Sequence, residues 1–107
     1  MATSNKILGQ SSPSATTLTT LYTVPASTQA NVNLFICNNS IIDTTIRISI
    51  VKSGGSTSNE EYIAYDMKIS RDYPINITGI ALATGDFIQV YATLATVTFT
   101  ATGIEIS

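Results

Sequence analysis

The sequence predicts an all-β fold: a single β-sandwich of about seven antiparallel strands, immunoglobulin-like or jelly-roll, behind an extended N-terminal arm. Three observations predict it. Apolar and polar residues alternate with a period of two through most of the chain. Turn-forming clusters interrupt that alternation at short intervals. No window carries an apolar stripe at helical spacing over three turns. A chain of 107 residues suits one domain, and its 44% hydrophobic content can fill a core without a disulfide.

The first sixteen residues read as the arm, with the sandwich over 17–107. From Ser11 to Thr20 the chain is nearly all Ser, Thr, Ala and Pro, a composition that gives a core little to bury. Ile7 and Leu8 are the apolar residues of the arm and its expected anchors. Two dockings for residues 2–14 are equally compatible with this: on a neighbouring subunit, or on the chain's own domain. A first strand takes in Leu21, Tyr22 and Val24 and closes at Pro25-Ala26-Ser27-Thr28. Val32, Leu34 and Ile36 make a second, with Phe35 and Cys37 on its other face, ending at Asn38-Asn39-Ser40. Ile46, Ile48 and Ile50 alternate with Arg47, Ser49 and Val51 in a third.

Ser53 to Asn59 is a long polar loop, expected to be a mobile tip. In Ile63 to Ile69 the odd positions are expected inside and Asp66 and Lys68 outside. Arg71-Asp72 and Pro74 make a corner before Ile75 and Ile77, and Thr84-Gly85-Asp86 a tight turn before Phe87 to Tyr91. Thr96, Thr98, Thr100 and Thr102 then line one face of a last strand, opposite Val97, Phe99 and Ala101. Threonine suits such a position because its branched Cβ packs well on a pleated surface. Apolar parity slips at Gly103, where a bulge would return Ile104 and Ile106 to the core. Gly79 is a second candidate for such a bulge.

Chemistry is scarce. Charged residues make up 11% of the chain and there is no histidine. A Ser-His-Asp or Cys-His arrangement and the usual zinc sites are therefore excluded. Glu60 and Glu61 are adjacent, so on a strand they point to opposite faces rather than across a cleft as a glycosidase pair does. Calcium is the one ion the carboxylates bring into consideration, through Asp43, Asp72 or Asp86, and no twelve-residue calcium loop is present. Ser53-Gly54-Gly55 lacks the Lys and helix of a phosphate loop. The expectation is no catalytic, cofactor-binding or metal-ligating residue and no cofactor: not an enzyme.

The five basic residues are scattered and the net charge is -2, which argues against nucleic acid. No apolar stretch approaches the roughly 20 residues that span a bilayer, so no membrane is expected. Met1 to Pro13 holds no apolar run of signal-peptide type, so no signal peptide is expected. Cys37 has no partner for a disulfide within the chain and reads as a small buried hydrophobe. The sequons at Asn38 and Asn76 read as accidents of an Asn- and Thr-rich chain. Tyr62 and Tyr65 have opposite parity, so no more than one of them is expected to face outward. Tyr62 and Tyr91 are the candidates for an exposed partner or carbohydrate-binding surface, against the alternative that each completes the rim of the core with its hydroxyl in water.

Two stretches carry a resemblance. Leu8-Gly9-Gln10-Ser11-Ser12-Pro13-Ser14-Ala15-Thr16-Thr17-Leu18-Thr19-Thr20-Leu21-Tyr22-Thr23-Val24-Pro25 resembles the opening of small virion proteins of tailed bacteriophages. The run from Leu82 through Gly85-Asp86-Phe87 to Ala92, with Val97 to Ile106, is similar to the closing hairpin of the same group. Together they span about half the chain. The resemblance implies a non-enzymatic structural protein of the virion, made in the host cytoplasm, whose partners are other copies of itself and other virion proteins. It implies a homo-oligomer: trimeric at local threefold positions for a capsid decoration (cement) protein, or following the symmetry of the tail, neck or baseplate. A carbohydrate- or receptor-binding module is the alternative of a different class.

Overall fold

A computed structural model of the chain describes residues 3–56, 59–71 and 74–107. Ala2, part of the polar loop (Thr57 and Ser58), and Asp72 and Tyr73 lie outside the described residues. The strands are β1 (Thr3–Ser11), β2 (Thr19–Thr23), β3 (Gln29–Asn38), β4 (Thr44–Val51), β5 (Tyr62–Ile69), β6 (Ile75–Leu82), β7 (Phe87–Ala92) and β8 (Val97–Ile106), with a single 3-10 turn at Asn59–Glu61.

Two four-stranded antiparallel sheets form, in the orders β1-β8-β3-β6 and β2-β7-β4-β5. The pairings β1 with β8, β2 with β7, β3 with β6 and β4 with β5 are those of one long hairpin whose turn is the β4–β5 connection. Rolling that hairpin adds the pairs β3 with β8 and β4 with β7 and closes two sheets face to face. This is jelly-roll topology, one of the two sandwich types the sequence predicts.

Thr3–Ser11 docks on the chain's own domain, one of the two placements the sequence leaves open, and does so as an eighth strand: it pairs with β8 at the edge of that sheet. The register of β1 shifts between Ile7 and Gly9, and the extra residue, Leu8, packs against the core. Residues beyond the strand are held too: the Ser12 hydroxyl donates to the Ala95 carbonyl at 3.0 Å and the Thr16 N–H to the Ala92 carbonyl at 2.8 Å.

The core lies between the sheets and follows the alternation. Val32, Leu34 and Ile36 of β3, Ile46 and Ile48 of β4, Ile88 and Val90 of β7, and Val97, Phe99 and Ala101 of β8 are all fully buried. Burying a side chain of this size stabilises by about 1.5–3 kcal/mol. Cys37 corrects an expectation: it alternates with buried Ile36 and Asn38 and is exposed on the outer face. Successive side chains of β3 point to opposite faces, and only the face of Val32, Leu34 and Ile36 packs on the second sheet.

The two glycines part ways. At Gly79 the β3–β6 register shifts between Val32 and Leu34, and Gly79 sits at φ +80° in the expected bulge. At Gly103 there is no bulge. The β3–β8 register runs unbroken from Gln29↔Ile106 to Asn38↔Val97, so Ile104 and Ile106 stay on the outer side. Gly103 is required for a different reason: a Cβ there would collide with the Asn31 carbonyl oxygen of β3.

Candidate functional site

Charge is distributed unevenly between the sheets. β3 and β6 contain no charged residue, and β1 and β8 contain one each, Lys6 and Glu105. Those two face the sandwich interior edge and bind one another at 2.9 Å. The outer face of the β1-β8-β3-β6 sheet is left with Thr98, Thr100 and Thr102 of β8 beside Asn33, Phe35 and Cys37 of β3, flanked by Ile7 and Gln10 of β1. Phe35 is 44% exposed and Ile7 60%. The result is a hydroxyl- and amide-rich wall with apolar points and no charge.

Glu105 also accepts a hydrogen bond from the Tyr22 hydroxyl, which crosses from the other sheet. Burial, and then the carboxylate itself, push the Tyr22 hydroxyl well above its ordinary pKa. The Tyr22 hydrogen bond, and then Lys6, hold Glu105 below the usual carboxylate range. One carboxylate thus ties β8 to β2 across the sandwich and to β1 along the edge.

The outer face of the β2-β7-β4-β5 sheet is of a different kind. Arg47 of β4 lies opposite Tyr91 of β7, and its guanidinium carbon stands 4.7 Å from that ring and 4.3 Å from the Tyr65 ring. Its Nε donates to Asp66 Oδ1 at 2.7 Å. Tyr62 meets Tyr65 edge-on, with ring centroids 4.9 Å apart and planes at 82°. Stacking of arginine on two rings while it forks onto a carboxylate fixes all four side chains.

This cluster depends on irregularity in β5. Its register against β4 shifts between Ile46 and Ile48 and again between Ile48 and Ser49, and Asp66 takes φ +52°. The shifts overturn the expected parity. Ile69 is buried and Met67 packs on the core, but Ile63 and Tyr65 face outward, 46% and 57% exposed. Of the residues named from sequence, Ile7 is exposed, Leu8 is turned inward, and Tyr62 and Tyr91 are half-buried members of the cluster. Tyr65 is more exposed than either and parity reasoning missed it. The sequence carries no signal for it, since Tyr65, Met67 and Ile69 alternate regularly with Asp66 and Lys68.

Other features are accounted for by structure. Asp86 accepts from the Ser53 and Ala83 N–H groups at 3.0 and 2.9 Å, which closes the Thr84-Gly85 turn. Asp43 pairs with Lys68 at 3.1 Å. Asn38 is buried and donates to the Ile42 and Ile69 carbonyls, so the first sequon is not open to modification. A cleft of about 550 Å³ lies under the β4–β5 connection, with Ile50, Val51 and Leu82 among its lining residues and Glu60 and Glu61 at hand. Among the described residues no group of three metal-ligating side chains gathers. Compared with known proteins, the chain matches no family model, no curated sequence and no solved structure.

Proposed function

We propose that this protein is a non-enzymatic structural subunit of a tailed-bacteriophage virion, working in many copies as a capsid decoration (cement) protein; a small tail, neck or baseplate component is the neighbouring reading. The observation that carries it is the uncharged outer face of the β1-β8-β3-β6 sheet. Such a face can be covered by another subunit without burying an unpaired charge, the costliest element of an interface. Its threonines and asparagines supply hydrogen bonds, and Ile7 and Phe35 supply apolar contact. The resemblance of the N- and C-terminal stretches to small phage virion proteins supports the same role.

Four of the seven carboxylates are held in structural contacts, which fits a structural role. Asp43, Asp66, Asp86 and Glu105 are each engaged with a cation, a backbone N–H or a hydroxyl in a structural contact. Thr100 lies mid-face, opposite Phe35 on one side and Gln10 on the other. In particles produced with Thr100→Lys, quantitative mass spectrometry should find the chain depleted at least tenfold, while its melting temperature stays within about 2 °C of wild type. Undiminished incorporation of the variant would remove the face from the account. In wild-type particles, hundreds of copies indicate the capsid and a few to dozens indicate the tail.

A further inference from the structure

The Arg47–Tyr65–Tyr91 cluster is used neither by the core nor by the uncharged face, and the backbone is bent to build it. On a regular strand Tyr65 would point away from both Tyr62 and Asp66. Two register shifts in β5 and the left-handed conformation of Asp66 bring Tyr65 and Asp66 onto Arg47 and Tyr62 against Tyr65 instead. Bulges are features that re-aim side chains, and a non-glycine residue at positive φ is a local cost that persists where the surroundings hold it. Packing does not require Tyr65 there, since it is 57% exposed.

We propose that this patch is a binding platform for an uncharged saccharide, a polysaccharide segment lying across β5, β4 and β7. Three properties select that class. Arg47 and Asp66 neutralise one another at 2.7 Å, so an anion meets the carboxylate and a cation the guanidinium, and neither gains. A neutral hydroxyl-rich ligand gains from both, because ionised donors and acceptors make the stronger hydrogen bonds. The side chains keep edges for this, Asp66 being 48% and Arg47 27% exposed. The rings of Tyr65, Tyr62 and Tyr91 offer the apolar surface on which the C–H face of a sugar rests. An open sheet face rather than a deep cavity suits an extended chain gripped weakly at each site. Only the gain from many sites at once rests on the many-copy reading above; the recognition chemistry does not.

The test is a glycan array carrying neutral and acidic glycans, probed with the full chain displayed in multiple copies on streptavidin. Wild type should bind neutral hexose polymers. Tyr65→Ala should lose at least tenfold of that signal at an unchanged melting temperature, and Asp66→Asn should lose several-fold. Thr100→Lys, on the other sheet, should bind as wild type, so failure of assembly and failure of glycan binding read separately. No binding to neutral glycans, binding confined to acidic ones, or binding that Tyr65→Ala leaves intact would each overturn the proposal.

Discussion

Removing the Tyr22 hydroxyl tests how the two sheets are joined. In Tyr22→Phe the ring still fills its place in the core, but Glu105 loses the hydrogen bond that most depresses its pKa and keeps only Lys6. The Glu105 side chain is 13% exposed, so water replaces the lost donor poorly. A hydrogen bond to a charged group is worth about 1.5–3 kcal/mol. At about 2.1 cal/mol/K per residue, 107 residues give an unfolding entropy near 225 cal/mol/K, or about 4–5 °C per kcal/mol. Tyr22→Phe should therefore melt about 7–13 °C below wild type at pH 7, followed by circular dichroism.

The pH dependence has a defined sign. A carboxylate whose folded pKa is depressed contributes stability above its unfolded pKa, near 4.3, and loses it as pH falls through the folded value. The gap between wild type and Tyr22→Phe should therefore narrow below about pH 4. The raised Tyr22 pKa acts at the other extreme. Its contribution is complete below the unfolded value near 10 and declines as pH rises above it. A variant within 2 °C of wild type at pH 7, or a gap of the same size at pH 3, would refute the reasoning.

Other outcomes follow from the same geometry. Gly103→Ala should destabilise by about 2 kcal/mol or more in a denaturant titration, because the new Cβ meets the Asn31 carbonyl in the β3–β8 pair. Phe99→Ala should cost about 3–5 kcal/mol by the same method, since Phe99 is fully buried between the sheets. Leu8→Asp should lower the melting temperature clearly while Ile7→Asp leaves it within about 2 °C, because the bulge in β1 turns only Leu8 inward. Cys37 should react with a thiol reagent in the isolated native chain and be protected in assembled particles.

Much of the fold is legible in the sequence because β3 and β8 alternate against a single core, whereas β4 also buries Ser49 and Val51, the positions that alternate with its isoleucines. The eighth strand is not, because β1 contributes little to that core beyond Leu8 and its polar composition matches that of a free segment. Gly103 misleads for a related reason. Glu105 is drawn to the inner edge by Tyr22 and Lys6, and Ile104 and Ile106 stay outside where apolar patterning would not put them. The tyrosine cluster is half legible. Tyr62 and Tyr91 are readable as candidates, whereas Tyr65 depends on two register shifts that period-two reasoning cannot represent.

The most direct test of the central claim is a cryo-electron microscopy map of an intact particle carrying this chain, read for copy number and for the face in contact. The map should show a repeating jelly roll whose β1-β8-β3-β6 face, with Thr100 and Phe35 at its centre, lies against a neighbouring subunit. A particle without the chain, or one in which that face is turned to solvent in every copy, would contradict it.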